Sequence, residues 1–272
     1  MTYVILGALA IGISLGLFGS GGSILTVPVL LYLLGHEAKV AIAESLGIVG
    51  GIALACAIPY ARARLVDWRT AVLFGAPGMV GTYVGAWVGG FVPATVQLLV
   101  FGGVMLAAAI TMLRPPKVAV DGAPARRRAV GRVVIDGTAV GALTGFVGVG
   151  GGFLVVPSLV LLGGLELRTA VGTSLVVIAM NTLIGFGKHL QVLNANGLAV
   201  DASTMLLLTS IGIAGSFGGR ALGATVDTTT LRRAFGAFLV VMALFVLGSE
   251  FVEPAPSDVQ GQRDAPAAAA GG

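Results

Sequence analysis

The chain has 272 residues, 56% of them hydrophobic and only 10% charged, and its 16 basic and 12 acidic side chains leave a formal charge of +4. Soluble domains carry about 25% charged residues, so this chain cannot dress a water-facing surface, and a nucleic-acid-binding role finds no basic footprint in so small an excess. Its 43 glycines have no three-residue period, which excludes collagen, and the lone Cys56 excludes a disulfide scaffold and reads as a small packing residue.

Taken in chain order, uncharged stretches run over 3–34, 40–60, 70–91, 96–113, 133–164 (with Asp136 near its start), 169–187, 203–223 and 231–250. A spanning helix needs about 20 mostly apolar residues, and six stretches have that length. The stretches 3–34 and 133–164 hold 32 residues each, about 48 Å of helix at 1.5 Å per residue, too long for one untilted span. Each carries a glycine cluster near its middle: Gly19-Ser20-Gly21-Gly22-Ser23 and Gly148-Val149-Gly150-Gly151-Gly152. Glycine costs a helix about 1 kcal/mol relative to alanine and permits positive φ. Each long stretch therefore reads as two short helices joined at a break. The first segment lacks a charged n-region and an A-x-A-like cleavage site, so it reads as retained rather than as a secretory leader.

The loops set orientation. If each long stretch goes in and returns, 13 of the 16 basic residues fall on one side, with Lys39, Lys188 and Arg263 opposite, and if each crosses once the split is 11 to 5; the positive-inside rule fits the first arrangement better and makes the richer side cytoplasmic. That rule also explains Arg62 and Arg220. Residues 114–132, with Pro115-Pro116 and Arg126-Arg127-Arg128, read as a basic cytoplasmic linker between a first membrane repeat (1–113) and a second (133–250). The Pro/Ala/Gly-rich tail 251–272 reads as disordered.

The halves are repeats. Residues 17–46 align without gaps onto 146–175 with 13 of 30 positions identical, among them Gly19/Gly148, Pro28/Pro157, Gly35/Gly164, Glu37/Glu166 and Ser45/Ser174. A second block aligns 78–103 with 212–237 and matches five glycines; the five extra residues are expected in a loop after His189. An odd number of crossings per half would invert the second copy. The expected fold is all-α: a polytopic helical membrane protein of two inverted repeats, each with a glycine-broken helix pair plus three spanning helices. Secondary transporters use this architecture and bind near the midplane at the repeat interface.

A helix starting inside the membrane leaves backbone N–H groups unpaired, and these need protein, water or ligand. Free N–H groups with the positive dipole end form an anion site. The substrate-binding candidates are therefore Gly19, Ser20, Gly21, Gly22 and Ser23 with Gly148, Gly150, Gly151 and Gly152, the two helix starts facing one another across a small anion. Ser23 is the expected N-cap of a helix over 24–34, and Gly152 holds the equivalent place before 153–163. Pro28 and Pro157, one turn later, remove a donor and bend the helix or free a carbonyl, giving them a gating role. The series Gly81-x-x-x-Gly85-x-x-x-Gly89 and Gly215-x-x-x-Gly219-x-x-x-Gly223 suits close helix packing instead.

Other polar groups in the spans are few. Ser45, Thr173, Ser174 and Asn181 join the binding candidates. Closing onto backbone carbonyls is the plain alternative for the two serines. Glu44, the counterpart of Thr173, is a coupling candidate because charge within a span marks function. His189, the counterpart of Tyr60, is expected at a helix end beside Lys188, as a hydrated residue or a proton relay.

The segments Gly16-Leu17-Phe18-Gly19-Ser20-Gly21-Gly22-Ser23-Ile24-Leu25-Thr26-Val27-Pro28, Gly145 to Pro157 and Gly172-Thr173-Ser174-Leu175 resemble the TauE/SafE family of sulfite and organosulfonate exporters, within the toluene sulfonate uptake permease group. The resemblance covers roughly residues 3–250. It implies an inner-membrane permease for a small sulfur-containing anion, driven by an ion gradient, with the lipid bilayer and the solute as partners and a homo-oligomer compatible with it. The first half departs at Ala43-Glu44-Ser45, where the family more often shows Gly-Thr-Ser; the added acid suggests proton coupling.

No cofactor and no metal are expected. Two competing readings are an anion channel and an intramembrane serine protease with Ser20 as nucleophile and His189 as base. The protease needs the two within about 3 Å; the second repeat has Val149 at the Ser20 position, so the motif does not depend on a hydroxyl there. The expectation is a transporter, not an enzyme.

Overall fold

In the computed structural model, residues 2–19, 21–113, 130–147, 152–161 and 164–252 are described. The linker 114–129, the tail 253–272 and the candidates Ser20, Gly148, Gly150 and Gly151 lie outside them. The described residues form helices only: α1 (Thr2–Phe18), α2 (Gly21–Pro28), which runs on through one π-helical turn (Val29–Leu33), α3 (Ala38–Arg62), α4 (Trp68–Gly89), α5 (Ala94–Leu113), α6 (Val130–Val147), α7 (Gly152–Leu161), α8 (Leu167–Ala195), α9 (Ala202–Thr225) and α10 (Thr228–Val252). Seven of them, α3 to α6 and α8 to α10, are long and apolar enough to cross a membrane. At 17 residues α1 is one shorter than its sequence counterpart α6.

The backbone repeats along with the sequence. Glu37 and Glu166 cap α3 and α8 with matching dihedrals (φ −58, ψ 140 and φ −59, ψ 142). Gly35 and Gly164 both take positive φ, +69 and +67. The residue after each glycine closes the preceding helix in the same way: His36 N–H donates to Leu30 O and Leu165 N–H to Leu159 O, at 3.0 and 3.1 Å. Asp67 and Asp201 cap α4 and α9 through their side chains.

Three boundaries differ from the sequence reading. The extra residues after His189 are helical: α8 has 29 residues against 25 in α3, and His189 lies well inside α8. An added helical turn keeps its amides paired, whereas an added loop in the bilayer would not. α6 starts at Val130, so the second repeat takes in residues assigned to the linker. α2 starts at Gly21, placing Ser23 within its first turn and not at its N-cap. The reversal is made by Gly19 at φ +69, which lets the next helix begin almost at once.

Glycine decides how the halves pack. A Cβ on Gly85 would collide with Ala142 O of α6, and one on Gly145 with Thr82 O of α4; likewise Gly16 and Gly219 meet Ser216 O and Ile13 O between α1 and α9. In both pairs residue numbers rise together along the contact, so α4 and α6 run parallel, as do α1 and α9. α3 and α8 are antiparallel, with Gly50 against Thr182 and Gly47 against Phe186. The series 81–85–89 and 215–219–223 thus serve close approach, where dispersion between backbones replaces absent hydrophobic drive. Cys56 is buried in the core as a small packing residue.

Candidate functional site

α1 carries the chain about 25 Å before it turns. Gly19 N–H still donates to Leu15 O at 2.8 Å, and then positive φ breaks the helix. A Cβ at Gly19 would lie 2.7 Å from Val171 Cγ1 of α8, so both the turn and the contact require glycine. Ser174 donates its hydroxyl to Val171 O at 2.7 Å, with Gly19 O a second acceptor at 3.2 Å. Ser45 donates to Ile42 O at 2.8 Å. Both serines therefore make the local backbone contact. Within α2, Thr26 donates to Gly22 O, Ser23 is fully buried, and Pro28 ends the α-helical hydrogen bonding, after which Leu34 N–H reaches Val29 O at 3.2 Å to complete the wider π turn. Pro157 lies inside α7, whose bonding remains α-helical.

Each half also holds the other's helix start. Thr173 Oγ1 accepts the Asp67 N–H at 3.0 Å, and Glu44 Oε1 accepts the Asp201 N–H at 2.7 Å. Glu44 is fully buried, and its Oε2 lies 2.6 Å from His36 Nδ1. Asp67 and Asp201 were not singled out from the sequence. The signal was present as an aspartate before an apolar run with threonine three residues later, Thr70 and Thr204, a capping pattern. At Asp201 the hydroxyl of Ser203, then that of Thr204, holds the carboxyl well below its ordinary range; at Asp227, ahead of α10, hydrogen bonds from Thr230 also lower the carboxyl.

The matched residues gather at two ends. Tyr60 donates to Gly16 O at 3.4 Å at one end, and His189 Nε2 meets Gly145 O at 3.1 Å at the other. With Gly47 opposite Phe186, Ser45 lies level with residue 188 of α8, so Ser45 and Ser174 are separated by roughly 20 Å along the helix axis. Of the two helix starts expected to face one another across one anion, the described flank of the first, Gly19, packs against Val171 of α8, while Gly148, Gly150 and Gly151 of the second lie outside the described residues. Glu44, Ser45 and His189 share one end; Gly19, Gly22, Ser23, Thr173 and Ser174 share the other. His189 faces Gly145 at the end away from Gly19, so the described residues do not bring it to the glycine turn that the protease reading requires.

Midway between the ends sits Asn181. It is fully buried, and neither Nδ2 nor Oδ1 has a hydrogen-bond partner among the described residues. It lies where α4 and α6 meet α8: a Cβ on Gly78 would be 3.0 Å from Asn181 Nδ2 and 3.2 Å from Gly137 O. Buried amide groups without partners cost about 1–3 kcal/mol each.

The family model described as sulfite exporter TauE/SafE matches residues 4–246. The chain belongs to this family. A probable membrane transporter protein of Xylella fastidiosa (strain 9a5c) is 32% identical over 247 residues, covering 87% of this chain and 91% of the relative. The probable membrane transporter protein YunE of Bacillus subtilis (strain 168) is 25% identical over 274 residues, 92% and 96% of the two chains. The probable membrane transporter protein MJ0441 of Methanocaldococcus jannaschii is 32% identical over 126 residues, 44% and 46%. No solved structure matches the chain. As a TauE/SafE member with seven helices fit to cross a bilayer, it is a multi-pass membrane transporter.

Proposed function

We propose that the protein is a secondary transporter that moves a small sulfur-containing anion, sulfite or an organosulfonate, across the inner membrane by alternating access. The two halves are inverted repeats, a reading supported by parallel packing of α1 on α9 and α6 on α4 with antiparallel α3 and α8. The anion binds at Asn181, with the Gly19 turn as one gate and the matching glycine segment of the second half as the other. The starts of α2 and α7 present helix N–H groups to the passing anion, Ser174 holds the backbone at Gly19, and Pro28 and Pro157 soften the gating helices.

The observation that carries this reading is Asn181: a fully buried amide, midway between the two ends, with both polar atoms unpartnered among the described residues. A bound anion supplies an acceptor for the Nδ2–H donors. Its enclosure among Gly78, Gly137 and α8 favours a carrier that closes around its cargo over an open channel.

The test is uptake of sulfite, taurine and sulfoacetate into proteoliposomes, with and without an imposed ion gradient. Asn181→Ala is expected to abolish uptake while leaving thermal stability unchanged or raised, since an unsatisfied group has been removed. Uptake at the wild-type rate in this variant would overturn the site. Flux that never exceeds the anion's own gradient would favour a channel.

A further inference from the structure

One end of the bundle holds a cavity that the transport reading above does not use. It has a volume of about 100 Å³ and lies among Leu17 of α1, Tyr60 of α3, Arg168 and Val171 of α8, and Arg220 and Ala224 of α9. Val171 is the residue against which the Gly19 turn packs, so the cavity abuts the first gate. Two guanidinium-bearing residues line it, and neither is paired with a carboxylate among the described residues. Arg168 Nη2 donates to Ala224 O at 3.1 Å, anchoring it at the negative end of the α9 dipole. The Arg220 guanidinium carbon stands 5.2 Å from the centre of the Tyr60 ring, a cation–π distance. Each anchor uses one part of a five-donor fork and leaves the rest available.

Orientation by loop charge explains why basic residues gather at this end, but it asks only that they be near the interface. It does not ask that Arg220 be half-buried on an aromatic face beside a cavity. The matching positions at the other end are Lys39 for Arg168, Ala86 for Arg220 and His189 for Tyr60, so the second half-site has no guanidinium. The repeats diverge here, and only one end has been given two.

The geometry points to this cavity as an oxyanion-docking site at the arginine-rich mouth: Arg168 and Arg220 take a sulfonate, sulfite or phosphate group by charge-assisted hydrogen bonds and pass it to the Gly19 turn. Guanidinium forks suit the trigonal faces of such groups. The cavity has room for several waters or for one small oxyanion. This rests on the transport reading for its cargo. A phospholipid headgroup offers the same chemistry, and the test separates the two.

Thermal unfolding of the purified full-length protein in detergent is followed with sulfite, sulfate, taurine and acetate at matched ionic strength, and separately with phosphatidylglycerol or phosphatidylcholine. The wild-type protein is expected to show saturable stabilisation by sulfite. Arg168→Gln and Arg220→Gln each weaken the apparent affinity about tenfold or more, Arg220→Lys recovers part of it, and Lys188→Gln at the opposite end has no effect. Unchanged affinity in both glutamine variants overturns the docking site; Asn181→Ala abolishing the same shift would then leave the transport reading standing. Stabilisation by no free anion overturns both. An arginine-dependent response to phosphatidylglycerol alone overturns the soluble cargo and assigns the cavity to a lipid headgroup. A protein misfolded by substitution is recognised by its unfolding temperature without ligand, and Arg220→Lys then carries the comparison.

Discussion

Glu44 and Thr173 hold equivalent positions in the two halves, and each accepts the backbone N–H of the aspartate that caps a helix of the opposite half, Glu44 from Asp201 at 2.7 Å and Thr173 from Asp67 at 3.0 Å. The sequence difference between them is an acid for a hydroxyl, yet the backbone role is the same. What the acid adds is a second oxygen, and that oxygen goes to His36 at 2.6 Å. One end of the α3–α8 pair is thereby tied by ionisable groups to the loop after the π turn, and the matching tie at the other end is a neutral hydrogen bond.

His36 and Glu44 are therefore expected to respond unequally to substitution. His36→Ala leaves the fully buried Glu44 carboxylate with one partner fewer, a loss of about 2 kcal/mol for a hydrogen bond to a charged group. Glu44→Gln removes the buried charge and keeps an oxygen for the Asp201 amide, so it costs less. Chemical unfolding of the two variants in detergent orders them. A larger loss in Glu44→Gln would show that the carboxylate, not its satisfaction, holds this end together.

Thr173 gives a cleaner case because no charge is involved. Thr173→Val keeps the shape and strands the Asp67 N–H, at about 1–2 kcal/mol. Thr173→Ser restores the acceptor and most of the stability. Equal losses in the two variants would mean that packing of the threonine methyl, and not the hydrogen bond, is what counts.

Adjacent glycines in α9 make a test of the packing argument. Nothing lies within 4 Å of a Cβ placed on Gly218, whereas one on Gly219 collides with the backbone of Ile13 in α1. Gly218→Ala is expected to be neutral or to stabilise by up to about 1 kcal/mol through helix propensity. Gly219→Ala must push α1 from α9 and is expected to cost about 1–3 kcal/mol. Unfolding temperatures of the pair decide it, and similar values would sink the idea that backbone contact fixes this interface.

The repeat was legible because glycine and proline are punctuation: Gly35 and Gly164, for example, share a positive φ, a backbone demand that hydrophobicity alone does not produce. The membrane class was legible from the charge deficit. The depth of the Gly19 turn was not, because apolar residues flank it on both sides and a 17-residue α1 reads the same whether it stops midway or near the far end. The crossing of Glu44 and Thr173 onto Asp201 and Asp67 was illegible for another reason. It joins residues 157 and 106 positions apart, and only the placement of α3 beside α8 brings them together. Asn181 could be marked as deep, but its lack of partners is a property of the packed bundle.

The caps themselves predict a pH dependence. Hydrogen bonds from Ser203 first, and then Thr204, hold the folded Asp201 carboxyl below its ordinary range. A depressed folded pKa stabilises the protein at pH above the unfolded value, near 3.9 for aspartate, and that contribution is lost as pH falls toward the folded value. Asp201→Asn keeps an acceptor for the α9 amides but carries no charge. Wild-type protein is therefore expected to be more stable than Asp201→Asn at pH 7, with the gap shrinking as pH falls below the ordinary carboxylate range. Every other carboxylate is common to both proteins, so its titration largely cancels in the difference. Unfolding temperatures measured from pH 7 down to pH 3 test this, and a gap independent of pH would mean that Asp201 acts through its hydrogen bonds alone and that its charge contributes nothing to the start of α9.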